Sequence, residues 1–323
     1  MRYATFSPND DDAGDHVGVV LEGDRVLDLT AAAADEPGFA SMADLVAGGE
    51  EVRRRVEREV ERVETPGRVG PAVVRPLADV RLRAPFPRPR KNVFCVGMNY
   101  RSHVEDNARA LGLRPDVGSV PLFFSKPPTA VVGPGDPILL DDRLTEKLDY
   151  EVELGIVIGR GGTWIEEADA LDHVFGYTIV NDVSARDLQW RTSQMFYGKG
   201  LDSYCPMGPW IVDAASVAPD GRPPELEISC RVDGELRQRD STAAMLFPVA
   251  RIVAELSKGI TLEPGDVIAT GTPGGCGYQL VPPRFLGVGE VVECAIEGIG
   301  SLVNPVAAAV PATAGLVAAG ADR

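Results

Sequence analysis

Leu148-Asp149-Tyr150-Glu151-Val152-Glu153-Leu154-Gly155-Ile156-Val157-Ile158-Gly159 is the stretch on which the reading of this chain turns. Read with a period of two, Tyr150, Val152, Leu154, Ile156 and Ile158 share one face of a strand. Asp149, Glu151 and Glu153 share the other. Two residues along a strand span roughly 6–7 Å, so Glu151 and Glu153 can converge on one cation. Carboxylate oxygens are hard ligands that suit Mg²⁺, Mn²⁺ or Ca²⁺. The ordinary alternative is a half-exposed antiparallel strand with a solvated acidic face, at a small cost from like charges side by side.

A second stretch tips the balance. In Thr178-Ile179-Val180-Asn181-Asp182-Val183-Ser184-Ala185-Arg186-Asp187, an apolar strand runs into Asn181-Asp182. Asp182 then sits at a strand end and can supply a third carboxylate. Together the two stretches resemble the hallmarks of the fumarylacetoacetate hydrolase family, a D-Y-E-x-E-L strand followed by N-D-x-S-A-R-D. The resemblance implies that Glu151, Glu153 and Asp182 hold a divalent metal, Mg²⁺ or Mn²⁺.

Further motifs extend it. Asn99-Tyr100-Arg101-Ser102-His103-Val104-Glu105-Asp106 is similar to the family's N-Y-x-x-H-x-x-E, which carries a catalytic His–Glu pair on a loop over the metal. Here Asp106 stands where the glutamate belongs, so either Asp106 or its neighbour Glu105 is expected to orient His103 as a general base. Phe123-Phe124-Ser125-Lys126-Pro127 resembles the family's F-F-x-K-P element. Gly271-Thr272-Pro273-Gly274-Gly275 follows a strand but precedes no G-K-[ST], so a phosphate loop is a poor reading. It resembles the family's T-G-T-P-x-G element instead. The resemblance places Tyr100, Arg186, Gln189 and Thr272 in the substrate pocket and Lys199 beside the developing charge. Residues 107–120 read as a lid, with a short helical piece before Gly112. The likeness spans roughly residues 91–305.

Around these motifs the chain reads as α+β and rich in strands. Val17–Leu21 and Arg25–Leu29 flank an E-G-D turn, and Leu226–Val232 and Glu235–Gln238 flank a D-G turn. Apolar spacing predicts helices over 41–63, 164–175 and 245–258, the last with Pro248 in its first turn. Residues 1–85 form a smaller N-terminal domain and 86–310 the catalytic domain. The first ends in a proline- and arginine-rich linker over 66–90, and residues 311–323 form a short tail. The resemblance implies a roll of mixed β-sheets and a homodimer.

Composition narrows the partners. With 32 basic and 48 acidic residues, the formal net charge is −16. Nucleic acid and anionic membrane reward basic patches, so neither is expected as a partner. Five scattered cysteines without a C-x-x-C pair suggest buried thiols in a cytoplasmic protein. The expected activity is metal-assisted hydrolysis of a C–C bond in a small anionic 2,4-dioxo acid, an acylpyruvate. In it His103 takes a proton from water, and Lys199 and Arg186 balance the charge of the enolate leaving group. The alternatives are decarboxylation or keto–enol isomerisation of a 2-oxo diacid through the same enolate. A scaffold repurposed in a specialised pathway fits less well, because a binding module needs no general base.

Overall fold

The computed structural model describes residues 1–8, 14–33, 35–65, 73–219, 221–222 and 224–309. The expected tail at 311–323 and the first part of the linker at 66–72 lie outside them. Among the described residues, strands dominate and helices are short, which is the α+β character the sequence implies.

A large mixed sheet forms the frame. Its main path runs Val73–Pro76, Arg25–Asp28, His16–Leu21, Arg2–Pro8, Cys205–Asp213, Val174–Asn181, Val152–Ile158, Val267–Ala269, Val93–Gly97 and Leu122–Lys126. Most neighbours are antiparallel, but Val267–Ala269 runs parallel to Val93–Gly97. A second sheet of five strands, Glu235–Ser241, Glu227–Val232, Val291–Ile296, Gly300–Ala308 and Ile138–Leu140, packs across it.

The N-terminal strands do not form a sheet of their own. Arg2–Pro8 pairs with Cys205–Asp213, with Arg2 opposite Val212 and Tyr3 opposite Ile211. The stretch expected as an extended linker is partly strand as well. Val73–Pro76 pairs with Arg25–Asp28, and Val80–Leu82 with Arg2–Pro8.

The central strand differs from its expected form. Val152–Ile158 is buried along its whole length, on both faces. Val152, Leu154, Ile156 and Ile158 enter the core beneath the five-stranded sheet. Val157 enters a second core with Tyr3, Leu45, Val56 and Val180. The acidic face is therefore buried rather than solvated. The ladder also breaks at Tyr150 and Glu151, so Leu148–Asp149 pairs separately with Ser184–Ala185.

Helical expectations fare unevenly. Val249–Leu256 forms with Pro248 as its N-cap. The 41–63 pattern splits into Met42–Ala47 and Gly49–Glu64, because Gly48 and Gly49 interrupt it and Gly49 takes a positive φ of 57°. The 164–175 segment becomes a 3₁₀ helix, Glu167–His173. The backbone N–H groups of Trp164 and Ile165 go instead to Ser257, which ties the segment to the end of helix Val249–Leu256. Both expected hairpins close as drawn. Asp233 and Gly234 have φ of 50° and 79°, as a type I′ turn requires.

Candidate active site

The site gathers where Val152–Ile158, the end of Val174–Asn181, and the loop after Val267–Ala269 meet helix Arg101–Leu111. Glu151, Glu153 and Asp182 each offer an oxygen, and these lie within 4.8 Å of one another, all buried. They line a small cavity of about 50 Å³ with His103, Lys199, Thr272, Met98, Phe124 and Met195.

Local backbone holds the triad in register. The Asp182 N–H donates to the Glu151 carbonyl at 2.8 Å, and the Glu151 N–H to Asn181 Oδ1 at 3.0 Å. Gly271 donates its N–H to Glu153 Oε2 at 2.8 Å. It does so at φ 97°, where a Cβ would stand 2.7 Å from Asn99 Cβ. Only glycine fits that approach.

Three cations answer the three carboxylates unevenly. Lys199 Nζ donates to Glu151 Oε2 and Asp182 Oδ2, each at 2.7 Å. Lys126, fully buried, donates to the carbonyls of Val183, Lys199 and Tyr204. Its Nζ also lies 2.6 Å from Asp182 Oδ1, yet its N–H bonds point at the carbonyls, so that oxygen accepts no hydrogen bond. Arg186 reaches Glu151 Oε1 at 2.6 Å and Asp149 Oδ2 at 2.9 Å, with its guanidinium 4.4 Å from the centre of the Tyr278 ring. Glu153 receives none of the three.

The charge states follow from this arrangement. Burial would raise the Glu151 carboxyl, but Arg186, Lys199 and His103 hold it well below the usual carboxylate range. Burial pushes Glu153 well up, and the carboxylates of Asp182 and Glu151 push it further. Burial alone would lower Lys199, but Asp182 and Glu151 raise it above the usual lysine range. Three oxygens, one carboxylate without a counter-ion and one orphaned acceptor on Asp182 fit a hard divalent cation.

His103 sits in the first turn of Arg101–Leu111, 6% exposed. Burial, with Arg186 and Lys199, pulls its imidazole down to about 4 against the opposing pull of Glu151. Neither expected partner touches the ring. Asp106 Oδ1 pairs with Arg109 at 2.8 Å, and Glu105 is exposed. Nδ1 faces Gln279 Nε2 at 3.2 Å and Cys276 Sγ at 3.7 Å instead. The two other histidines have structural partners: His16 bonds Asp28, and His173 bonds Arg160.

The remaining expected residues divide. Thr272 lines the cavity, and its Oγ1 accepts from Gln238 Nε2 at 2.9 Å, which leaves the hydroxyl hydrogen free to donate. Arg186 pairs with Asp149 and Glu151 and donates from Nη1 to Gln189 Oε1 at 2.9 Å, while its buried Nη2 makes no hydrogen bond. Tyr100 is buried at the N-cap of the helix, its hydroxyl unpartnered, and is not among the residues lining the cavity. The segment expected as a lid is helical through Leu111. It then caps at Gly112 with φ 66° and continues as exposed loop.

Lys126, Asp149, Gln238, Cys276 and Gln279 adjoin these residues; the first two stand in stretches quoted from the sequence without a role of their own, and the last three were not singled out. Asp149 is the organiser among them. It accepts from Arg186 and from the backbone N–H groups of Gly277 and Tyr278, at 2.7 and 3.2 Å. The acidic face of the opening stretch carried that signal. The others are brought in from far along the chain.

The family model described as "Fumarylacetoacetate (FAA) hydrolase C-terminal" matches residues 92–307. Oxaloacetate tautomerase YisK of Bacillus subtilis (strain 168) is 41% identical over 294 residues, 90% of this chain and 95% of that protein. A fumarylacetoacetate hydrolase from Exiguobacterium antarcticum superposes with a TM-score of 0.76 at 39% identity, covering 96% of this chain and all of that one. Maleylpyruvate hydrolase from Sphingobium sp. SYK-6, solved with manganese(II) and pyruvate, superposes with a TM-score of 0.74 at 29% identity, covering 96% of this chain and all of that one.

Proposed function

The chain belongs to the fumarylacetoacetate hydrolase family, and from that membership we propose that it is a divalent-metal-dependent tautomerase of a small 2-oxo dicarboxylate of the oxaloacetate type. The observation that carries this reading over hydrolysis is the environment of His103. Water activation draws on a base oriented by a carboxylate, and the ring meets an amide and a thiol instead. Tautomerisation needs only a proton moved between carbon and oxygen, with neither a placed water nor a leaving group. The likeness to an oxaloacetate tautomerase over nearly the whole chain supports the same choice.

Glu151, Glu153 and Asp182 would hold the metal, Mg²⁺ or Mn²⁺, which when bound would supply Lewis-acid chemistry beside the 2-oxo group. Thr272 donates its free hydroxyl hydrogen to a substrate carboxylate. Lys199 sets positive charge beside the oxygen that gains electron density. His103 moves the proton. Arg186, Asp149 and Gln189 keep Glu151 in place. The cavity that His103, Lys199 and Thr272 line is small, which favours a short substrate.

A second reading, cleavage of an acylpyruvate, draws support from the likeness to a maleylpyruvate hydrolase. One panel separates the two. Enol oxaloacetate, an acylpyruvate and keto oxaloacetate are offered with Mg²⁺, Mn²⁺ or EDTA. The expected result is metal-dependent loss of the enol absorbance without formation of pyruvate or carbon dioxide. Pyruvate plus a carboxylic acid from the acylpyruvate, with no faster ketonisation, overturns the proposal in favour of hydrolysis. Carbon dioxide from oxaloacetate as the sole product overturns it in favour of decarboxylation.

A further inference from the structure

Gln279 is 6% exposed and spans two parts of the site. Its Oε1 accepts from the backbone N–H groups of Gly275 at 2.9 Å and Cys276 at 3.0 Å. An amide nitrogen cannot accept from two donors, so this contact fixes which way the side chain faces. The NH₂ end is then committed to the other side. There it lies 3.0 Å from Tyr278 Oη, 3.3 Å from the His103 carbonyl and 3.2 Å from His103 Nδ1. Tyr278 Oη in turn donates to Asn107 Oδ1 at 3.0 Å, so it receives one of the two amide hydrogens. The second hydrogen points to His103, between its carbonyl oxygen and Nδ1, with Nδ1 the nearer.

The other neighbour of Nδ1 is the Cys276 thiol at 3.7 Å, whose own hydrogen reaches toward Glu151 Oε1 and whose sulfur is a weak acceptor. A hydrogen on Nδ1 would face an amide NH₂ and a thiol, with nothing to receive it from Gln279. Neutral imidazole carries one N–H and one lone pair. The lone pair therefore belongs on Nδ1 and the hydrogen on Nε2. Nε2 has no hydrogen-bond partner among the described residues, and the ring lines the cavity.

We propose that Gln279 is the positioning residue of His103, fixing its ring as the Nε2–H tautomer so that the imidazole meets the substrate as a proton donor. This rests on the reading of His103 as the proton carrier of a tautomerase. In ketonisation, the Nε2–H bond breaks with its electron pair left on the ring as an imidazolate, and its proton forms a C3–H bond with the electron pair of the C2=C3 double bond. The enol O–H pair becomes the second bond of the C2 carbonyl, and that proton leaves to solvent. The ring regains its proton from solvent. Abstraction of a proton from water would need a lone pair on Nε2, which this tautomer lacks. The departure from the family motif at Asp106 fits the same arrangement, since here an amide, and no carboxylate, holds the ring.

Nitrogen NMR of the full chain, labelled at histidine, reads the tautomer directly. Only three histidines contribute, and a His103→Asn spectrum identifies the relevant signals. The wild-type protein is expected to show Nδ1 unprotonated and Nε2 protonated. Gln279→Glu sets an acceptor against Nδ1 and is expected to move the hydrogen there. The kcat for ketonisation should then fall about a hundredfold, the scale of a lost general acid, with KM little changed. A protonated Nδ1 in the wild type overturns the proposal. So does a Gln279→Glu protein that keeps the Nε2–H form. Should the variant fail to fold, the wild-type spectrum decides alone. The expected tautomer without turnover of enol oxaloacetate upholds the role of Gln279 and removes the reaction assigned above, so the two failures are separable.

Discussion

Glu153 is the carboxylate with the least company in the site. Its hydrogen bond comes from the Gly271 N–H, and it shares its surroundings with two other acids. Glu153→Gln keeps the shape and removes a carboxyl whose ionised form burial and two neighbouring acids disfavour. Without metal, the variant should be at least as stable as the wild type, since that ionised form is a liability. Mn²⁺ affinity, read by calorimetry, should fall at least about tenfold, the loss seen when a residue that merely orients a ligand is removed. Unchanged Mn²⁺ affinity would remove Glu153 from the ligand set. Lys126 answers to the opposite logic. Lys126→Met leaves three carbonyls and Asp182 Oδ1 facing a thioether. Denaturant unfolding should show a loss of about 3–5 kcal/mol, the usual result of stripping one partner from a buried ion pair. A loss under about 1 kcal/mol would mean that the surface-pair scale applies and Lys126 is dispensable.

At the scale of elements, the loop after Val267–Ala269 joins the sheet to the chemistry. Gly271 turns that loop at φ 97° with Asn99 and Val96 packed against its α-carbon. Gly271→Ala adds both backbone strain and a clash, and should lower stability by about 2–5 kcal/mol. Gly112 is the control. It also has positive φ, at 66°, but nothing lies within 4 Å of its added Cβ. Gly112→Ala should cost about 1–2 kcal/mol, the left-handed penalty alone. Equal losses in thermal unfolding would show that the close approach to Asn99 has no energetic weight. The same elements show what could be read beforehand. Glu151 and Glu153 obey strand period and Asp182 follows a strand end, so local pattern offered the three carboxylates, and the family resemblance joined them into one ligand set. The second buried face of Val152–Ile158 was not legible, since Gly155 and Val157 alone do not declare a core. Gln279 and Cys276 reach His103 across more than 170 positions, and no local signal announces a contact of that range.

Across the whole molecule, the strand-rich class follows from alternating apolar runs and turn residues such as Asp233-Gly234, whereas the mixed-sheet frame was implied by the family resemblance. The pairing of Arg2–Pro8 with Cys205–Asp213 does not, because it joins segments some two hundred residues apart. The described helices include none long and apolar enough to cross a membrane. Leu113, Val120, Phe196, Tyr197 and Val281 expose apolar side chains in segments that flank cavity-lining residues or the Cys276–Gln279 turn. Such exposure suits an association surface, as the homodimer expected from the family resemblance requires. Light scattering should give twice the 34.4 kDa of one chain, and a monomer at all concentrations would contradict the dimer.

The central claim is metal-dependent proton transfer at carbon without bond cleavage. Proton NMR of oxaloacetate in D₂O tests it most directly, because each tautomerisation exchanges a C3 hydrogen for deuterium while leaving four carbons intact. With Mg²⁺, the protein is predicted to wash out the C3 signal well above the spontaneous rate. EDTA or His103→Asn should return that rate to the spontaneous one. No acceleration with metal bound, or acceleration only in step with pyruvate formation, would contradict the account.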